Sequence, residues 1–129
     1  MAYLNPSGWP RPQGYSNGVV ASGRQVFIAG QIGWDETGRL VSDELVGQTR
    51  QALTNCLAVL AVAGGRAEHV TRMTWFVVDL ADYASQRPQI GALYRELMGA
   101  NYPAMSAYEV GLLEAGALVE IEVTAVLPP

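Results

Sequence analysis

Glu120 and Glu122 are the side chains best placed to do chemistry. They lie two apart in a run, 118–127, that alternates as a β-strand does, so both carboxylates stand on one sheet face. A carboxyl group buried in a cleft has its pKa raised and can then serve as a general acid or base. The alternative is structural, an ion pair or hydrogen bonds to backbone, with Arg72 as a partner for Glu122. Tyr15, at the end of a stretch rich in proline and glycine, offers a ring and a hydroxyl to cap a cleft or to pack an interface. Trp34 is unusually large for a loop that follows a strand and is positioned to wall a pocket. Asn101 and Tyr102 add polar groups ahead of the last two strands.

The residues that are missing narrow the chemistry. All 8 basic residues are arginine, so no lysine is available for a Schiff base or a phosphate loop. A single cysteine, Cys56, excludes an intramolecular disulfide and a cysteine zinc site, and a single histidine, His69, excludes an all-histidine metal centre. No cofactor or metal is therefore expected. A net charge of −4 with scattered arginines argues against nucleic-acid backbone as a partner. No apolar run reaches the roughly 18 residues of a membrane span. The N-terminus lacks the pattern of a signal peptide, so no membrane partner and a cytoplasmic location are expected.

These groups need a scaffold, and 129 residues suffice for a single domain, 1–129. Residues 1–18 read as an irregular arm. Residues 19–22 and 25–29 flank Gly23-Arg24 as a β-hairpin would. Val26-Phe27-Ile28 is a continuous apolar run, which predicts burial on both faces. Ser42 is the expected N-cap of a helix, with Asp43 and Glu44 in its first turn. Leu45, Thr49, Leu53, Cys56 and Leu60 keep helical spacing up to Gly64-Gly65, and Cys56 on that stripe reads as a buried structural thiol. His69 is expected at the surface of the helix-to-strand junction.

Residues 70–80 form the next expected strand. Val70, Arg72, Thr74, Phe76 and Val78 fall on one face, and Met73, Trp75 and Val77 on the other, with Trp75 in the core or an interface. Residues 82–98 read as a second helix stopped by Gly99, which Pro88 either kinks or begins. Strands at 105–110 and 118–127 complete an α+β order, β-β-α-β-α-β-β. Two helices cover one sheet face, yet the strands are apolar on both. A symmetric homo-oligomer is the expected solution.

The landmarks Gly14-Tyr15-Ser16, Ala29-Gly30-Gln31-Ile32, Gln48-Thr49, Leu53-Thr54-Asn55, Ala63-Gly64-Gly65, Asp79-Leu80, Tyr94, Pro103-Ala104-Met105-Ser106 and Glu120-Ile121-Glu122 occur in family-like order. On them the chain resembles the RidA/YjgF family over nearly its whole length. The resemblance implies a chorismate-mutase-like fold and a homotrimer whose sheets form an inner barrel. It also implies a small-molecule site in each intersubunit cleft. There the family hydrolyses a 2-imino acid to a 2-keto acid and ammonia, with an arginine on the carboxylate and a glutamate assisting.

Carried over by position, the family's tyrosine is Tyr15 and its glutamate is Glu120. Its serine is Ala29, the asparagine three residues before the helix tyrosine is Gly91, the arginine is Met105, and the thiol two positions later is Ala107. A guanidinium grips a carboxylate through two charge-assisted hydrogen bonds, whereas a thioether offers a weak acceptor and dispersion. Imino-acid binding is therefore expected to be orders of magnitude weaker, in a larger and more apolar pocket. Arg72, Arg87 and Arg95 are the candidates to supply a guanidinium from another direction. The expected function is a divergent enzyme acting on an imine or enamine, with Glu120 as acid/base. The alternative is a non-catalytic, regulatory binder. A ribonuclease or translation-inhibitor role fits the acidic chain least.

Overall fold

A computed structural model describes all residues, 1–129. Its elements are β1 (Ala2–Leu4), β2 (Gly18–Val20), β3 (Arg24–Ile32), α1 (Leu45–Val62), β4 (Val70–Val77), α2 (Leu80–Ser85), α3 (Arg87–Met98), β5 (Ala104–Glu109) and β6 (Val119–Leu127), with a 3-10 turn at Ala67–His69. Four strands form the main sheet in the order β3-β6-β4-β5. β6 is antiparallel to both its neighbours, and β4 and β5 are parallel. A parallel pair needs a long crossover, and α2 and α3 supply it.

The period-2 pattern of β6 sets the layers. Val119, Ile121, Val123, Ala125 and Leu127 are buried, while Glu120, Glu122, Thr124 and Val126 alternate outward. The buried set meets Met73, Trp75 and Val77 of β4 and is covered by α1 and α3. Leu53 and Leu60 of α1 are fully buried. Each such side chain contributes about 1.5–3 kcal/mol in transfer free energy. Cys56 lies in the same layer, 2% exposed, and donates to the Ile121 carbonyl at 3.4 Å. Burial pushes its thiol up to about 12.

Several local expectations are corrected. β2 does not form a hairpin with β3; it pairs with β1 as a separate two-stranded sheet. At Gly23 the chain passes tightly over the end of β6, where an added Cβ would lie 1.9 Å from the Leu127 carbonyl oxygen. That path leads into pairing with β6 instead of back onto β2. Helix α1 starts at Leu45, because the Ser42 hydroxyl is spent in a local turn, accepting from the Glu44 N–H at 3.0 Å. Val70 is buried with Met73 and not aligned with Arg72, since the register with β6 shifts between residues 70 and 72. The second helix is two. Asp79 caps α2 by accepting from the Asp82 N–H at 3.0 Å, and Pro88 lies in the first turn of α3, where its missing N–H costs nothing.

Two further readings change. His69 is half-buried, because its Nδ1 accepts from the Arg66 N–H at 2.9 Å and closes the 3-10 turn. Phe27 is not buried on both sides of its strand: within one chain it is 72% exposed on the sheet face opposite the helices. Phe76, Tyr108, Arg72 and Glu122 share that open face. Arg72 and Glu122 stand close enough to line one small cavity there, but they form no ion pair.

Candidate functional site

Two cavities hold most of the candidate residues. The first lies between α3 and β5. Met105 stands in register with Met73, so it faces the helices and is half-buried against the core. It lines a cavity of about 190 Å³ with Gly91, Trp75 and a set of tyrosines, Tyr83, Tyr94 and Tyr102. Tyr94 and Tyr102 stack with centroids 5.6 Å apart, and Trp75 lies 6.5 Å from Tyr94. The Tyr94 hydroxyl donates to the Asn101 carbonyl at 2.5 Å, which fixes the ring. Burial, then the neighbouring tyrosines, push that phenol above its ordinary range. Burial also raises Tyr83, against a smaller opposing pull from the Arg87 guanidinium. Tyr83 and Tyr94 therefore stay neutral, and the basic side chains on the lining are Arg87 and Arg95.

The second cavity is on the open side of the sheet. Glu120 and Trp34 line it with Gly30, Ile32, Leu112 and Leu113, in a volume of about 120 Å³. Glu120 is half-buried. Its carboxylate lies over Gly30, where an added Cβ would stand 2.6 Å from its Cδ. Gly30 also sits where the register between β3 and β6 slips, between Ile28 and Gln31. Ile32 is only 4% exposed yet lies outside the main core, whereas Leu113 beside it is fully exposed. Glu114 is a second carboxylate on the same lining.

Met105 and Glu120 do not meet within a chain. Glu120 pairs in register with Phe76 and points to the open face, and Met105 points to the helix face. Tyr15 lines a third cavity, which touches the first through Tyr102. Its segment is tied down at Ser16, which donates from its N–H to the Pro103 carbonyl and from its hydroxyl to the Tyr102 carbonyl at 2.6 Å. Ala29 and Ala107 are exposed on β3 and β5 and line neither main cavity. Asn101 turns back to donate to the Met98 carbonyl at 2.7 Å.

Sequence reasoning missed Gly30, Tyr83 and Leu113. A glycine within a strand was the available signal for Gly30, since it marks a bulge or a close approach. No cluster of three or more His, Cys, Asp or Glu side chains is formed that could hold a metal. No helix is long and apolar enough to cross a membrane.

The profile of the family described as Endoribonuclease L-PSP matches residues 10–127. A RutC family protein of Pyrococcus horikoshii is 37% identical over 117 residues, 90% of each chain. Human 2-iminobutanoate/2-iminopropanoate deaminase is 34% identical over 116 residues, 89% of this chain and 81% of that protein. The crystal structure of a Rid-family protein from Yersinia pestis superposes with a TM-score of 0.81 at 37% identity, covering 98% of both chains. With the α+β fold and motif order above, these matches place the chain in its class: it belongs to the RidA/YjgF family.

Proposed function

We propose that the chain hydrolyses an imine, enamine or related small reactive carbonyl derivative in a cleft completed between copies of a homotrimer. We propose further that it is not a standard 2-iminopropanoate deaminase. The observation that carries this reading is the seat of Glu120, a half-buried carboxylate held over Gly30 beside Trp34. It lies on a sheet face whose Phe27 and adjoining Leu113 are left exposed. A second copy seated there covers these apolar groups and brings its own Met105 side toward Glu120. Likeness to the human deaminase supports imine chemistry. Glu120 takes a proton from water as the water oxygen adds to the imine carbon. It returns the proton to nitrogen to give the carbinolamine, then carries the carbinol O–H proton to nitrogen as the C–N bond breaks, so that a carbonyl product and ammonia leave. Tyr15, Trp34, Ala29, Gly91, Met105 and Ala107 form the ligand walls in this reading.

The test is release of carbonyl product from a panel of enzymatically generated imines, for the wild type and for Glu120→Gln. Turnover that depends on Glu120 is expected, and turnover indifferent to that change overturns the reading. A second reading, a non-catalytic binder, is favoured by the three positions where the resemblance places polar anchors and this chain has Met105, Ala29 and Gly91. It is distinguished by ligand-dependent thermal stabilisation without any turnover.

A further inference from the structure

The lining of the Met105 cavity is aromatic, yet its charge is wholly positive. Arg87, Gly91 and Arg95 lie four apart along α3, on one stripe of the helix. Side chains on a helix lean toward its N-terminus. Arg95 does so, and an added Cβ on Gly91 would stand 3.3 Å from its Nη1. The bare backbone at residue 91 is thus the space the guanidinium uses to reach the cavity. Neither arginine has an acidic partner. The neighbouring Glu96 turns away to pair with Arg50, and neither guanidinium donates a hydrogen bond within the chain. No acidic side chain lies on the cavity wall.

A second observation points into the same place. The indole N–H of Trp75 is the one buried side-chain polar atom left without a partner, in a residue that is 1% exposed and lines this cavity. Buried donors are normally paired, and an orphan at a ligand site calls for an acceptor. The volume of about 190 Å³ exceeds the roughly 150 Å³ of an apolar cavity that holds benzene.

We infer that Arg95, seconded by Arg87, is the anion anchor of this cavity, and that its ligand is a monocarboxylate bearing an aromatic or comparably bulky apolar body. The guanidinium reaches across Gly91 to the side of the cavity that Met105 leaves uncharged. The unpaired Trp75 N–H is the donor left over for the ligand's polar atoms, and the tyrosines pack its body. This rests on the reading that Met105 lines the ligand site, and it names the substrate class for that site.

The test uses the intact ¹⁵N-labelled protein with phenylacetate and its uncharged isostere phenylacetamide. Phenylacetate is expected to shift the assigned Trp75 indole resonance and to bind at least about tenfold more tightly than the amide. Arg95→Met, at an exposed position, is expected to keep the melting temperature and amide binding while erasing that preference. Equal binding of acid and amide, a preference that survives Arg95→Met, or no binding of either ligand overturns the inference. Glu120-dependent turnover with no carboxylate preference would sink this inference and leave the catalytic reading standing. Carboxylate binding without turnover would do the reverse.

Discussion

Gly30 and Glu120 are fitted to each other across two adjacent strands: a β-carbon on residue 30 would lie 2.6 Å from the carboxyl carbon of Glu120. The constraint is space and not backbone conformation, because Gly30 is not among the glycines of positive φ. A Gly30→Ala change must therefore push aside the end of a flexible side chain. We expect a stability change under about 1 kcal/mol, as for most surface substitutions. Turnover is expected to fall nearly as far as in Glu120→Gln. Parallel measurement of urea midpoints and carbonyl release checks this; intact turnover in a folded Gly30→Ala protein would refute it.

Gln48 ties α1 to the approach to β6. Fully buried, its amide donates to the Ser42 and Gly116 carbonyls, both at 2.9 Å, and accepts from the Leu118 N–H at 2.7 Å. Gln48→Leu leaves backbone groups unpaired, each costing about 1–3 kcal/mol. A loss of about 3 kcal/mol in denaturant unfolding is expected, large for a change of similar volume.

Met105→Arg places a guanidinium at the position to which the resemblance assigns the family's arginine. Release of 2-keto acid from 2-iminopropanoate is expected to be weak in the wild type. In the variant it should rise by at least about tenfold, the scale of one charge-assisted hydrogen bond. Robust wild-type activity would show that the thioether is no obstacle.

Cys56 sets an alkaline limit on stability. Its thiol rises from 9.0 to about 12 in the folded protein through burial, so the folded state keeps a proton that the unfolded chain has lost. The thiol's contribution is fully present below pH 9 and is lost between pH 9 and about 12. The buried phenol of Tyr94 acts in the same direction at higher pH. In Cys56→Ala, the decline of unfolding free energy across that window is expected to be shallower than in the wild type. Parallel slopes would show that the thiol is not responsible.

Much of the fold was legible because its signals are local. The alternation of residues 119–127 and the stripe through Leu53, Cys56 and Leu60 each declare a period and a face. The exceptions are contacts between distant segments. β2 turns to β1 because Gly23 crosses the end of β6, and Val70 changes faces through a register slip. The candidate site was legible as a set of residues but not in its arrangement. Parity along a strand puts Glu120 and Glu122 together. Whether residue 105 shares their face depends on strand order and on the crossover through α2 and α3. Arg95 was one of three arginines that could supply a guanidinium, and the sequence could not choose among them, since its reach depends on what Gly91 lacks.

Met105 and Glu120 face opposite ways, so an oligomer completed as proposed would make each chain the carrier of two unlike half-sites. In the proposed trimer, defects in the two halves would be inherited separately. A chain altered at Glu120 and a chain blocked at Met105 are each inactive alone. Refolded together in equal amounts, they would return activity at about one site in four, where an intact half of each kind meets. A cleft contained within one chain would return none.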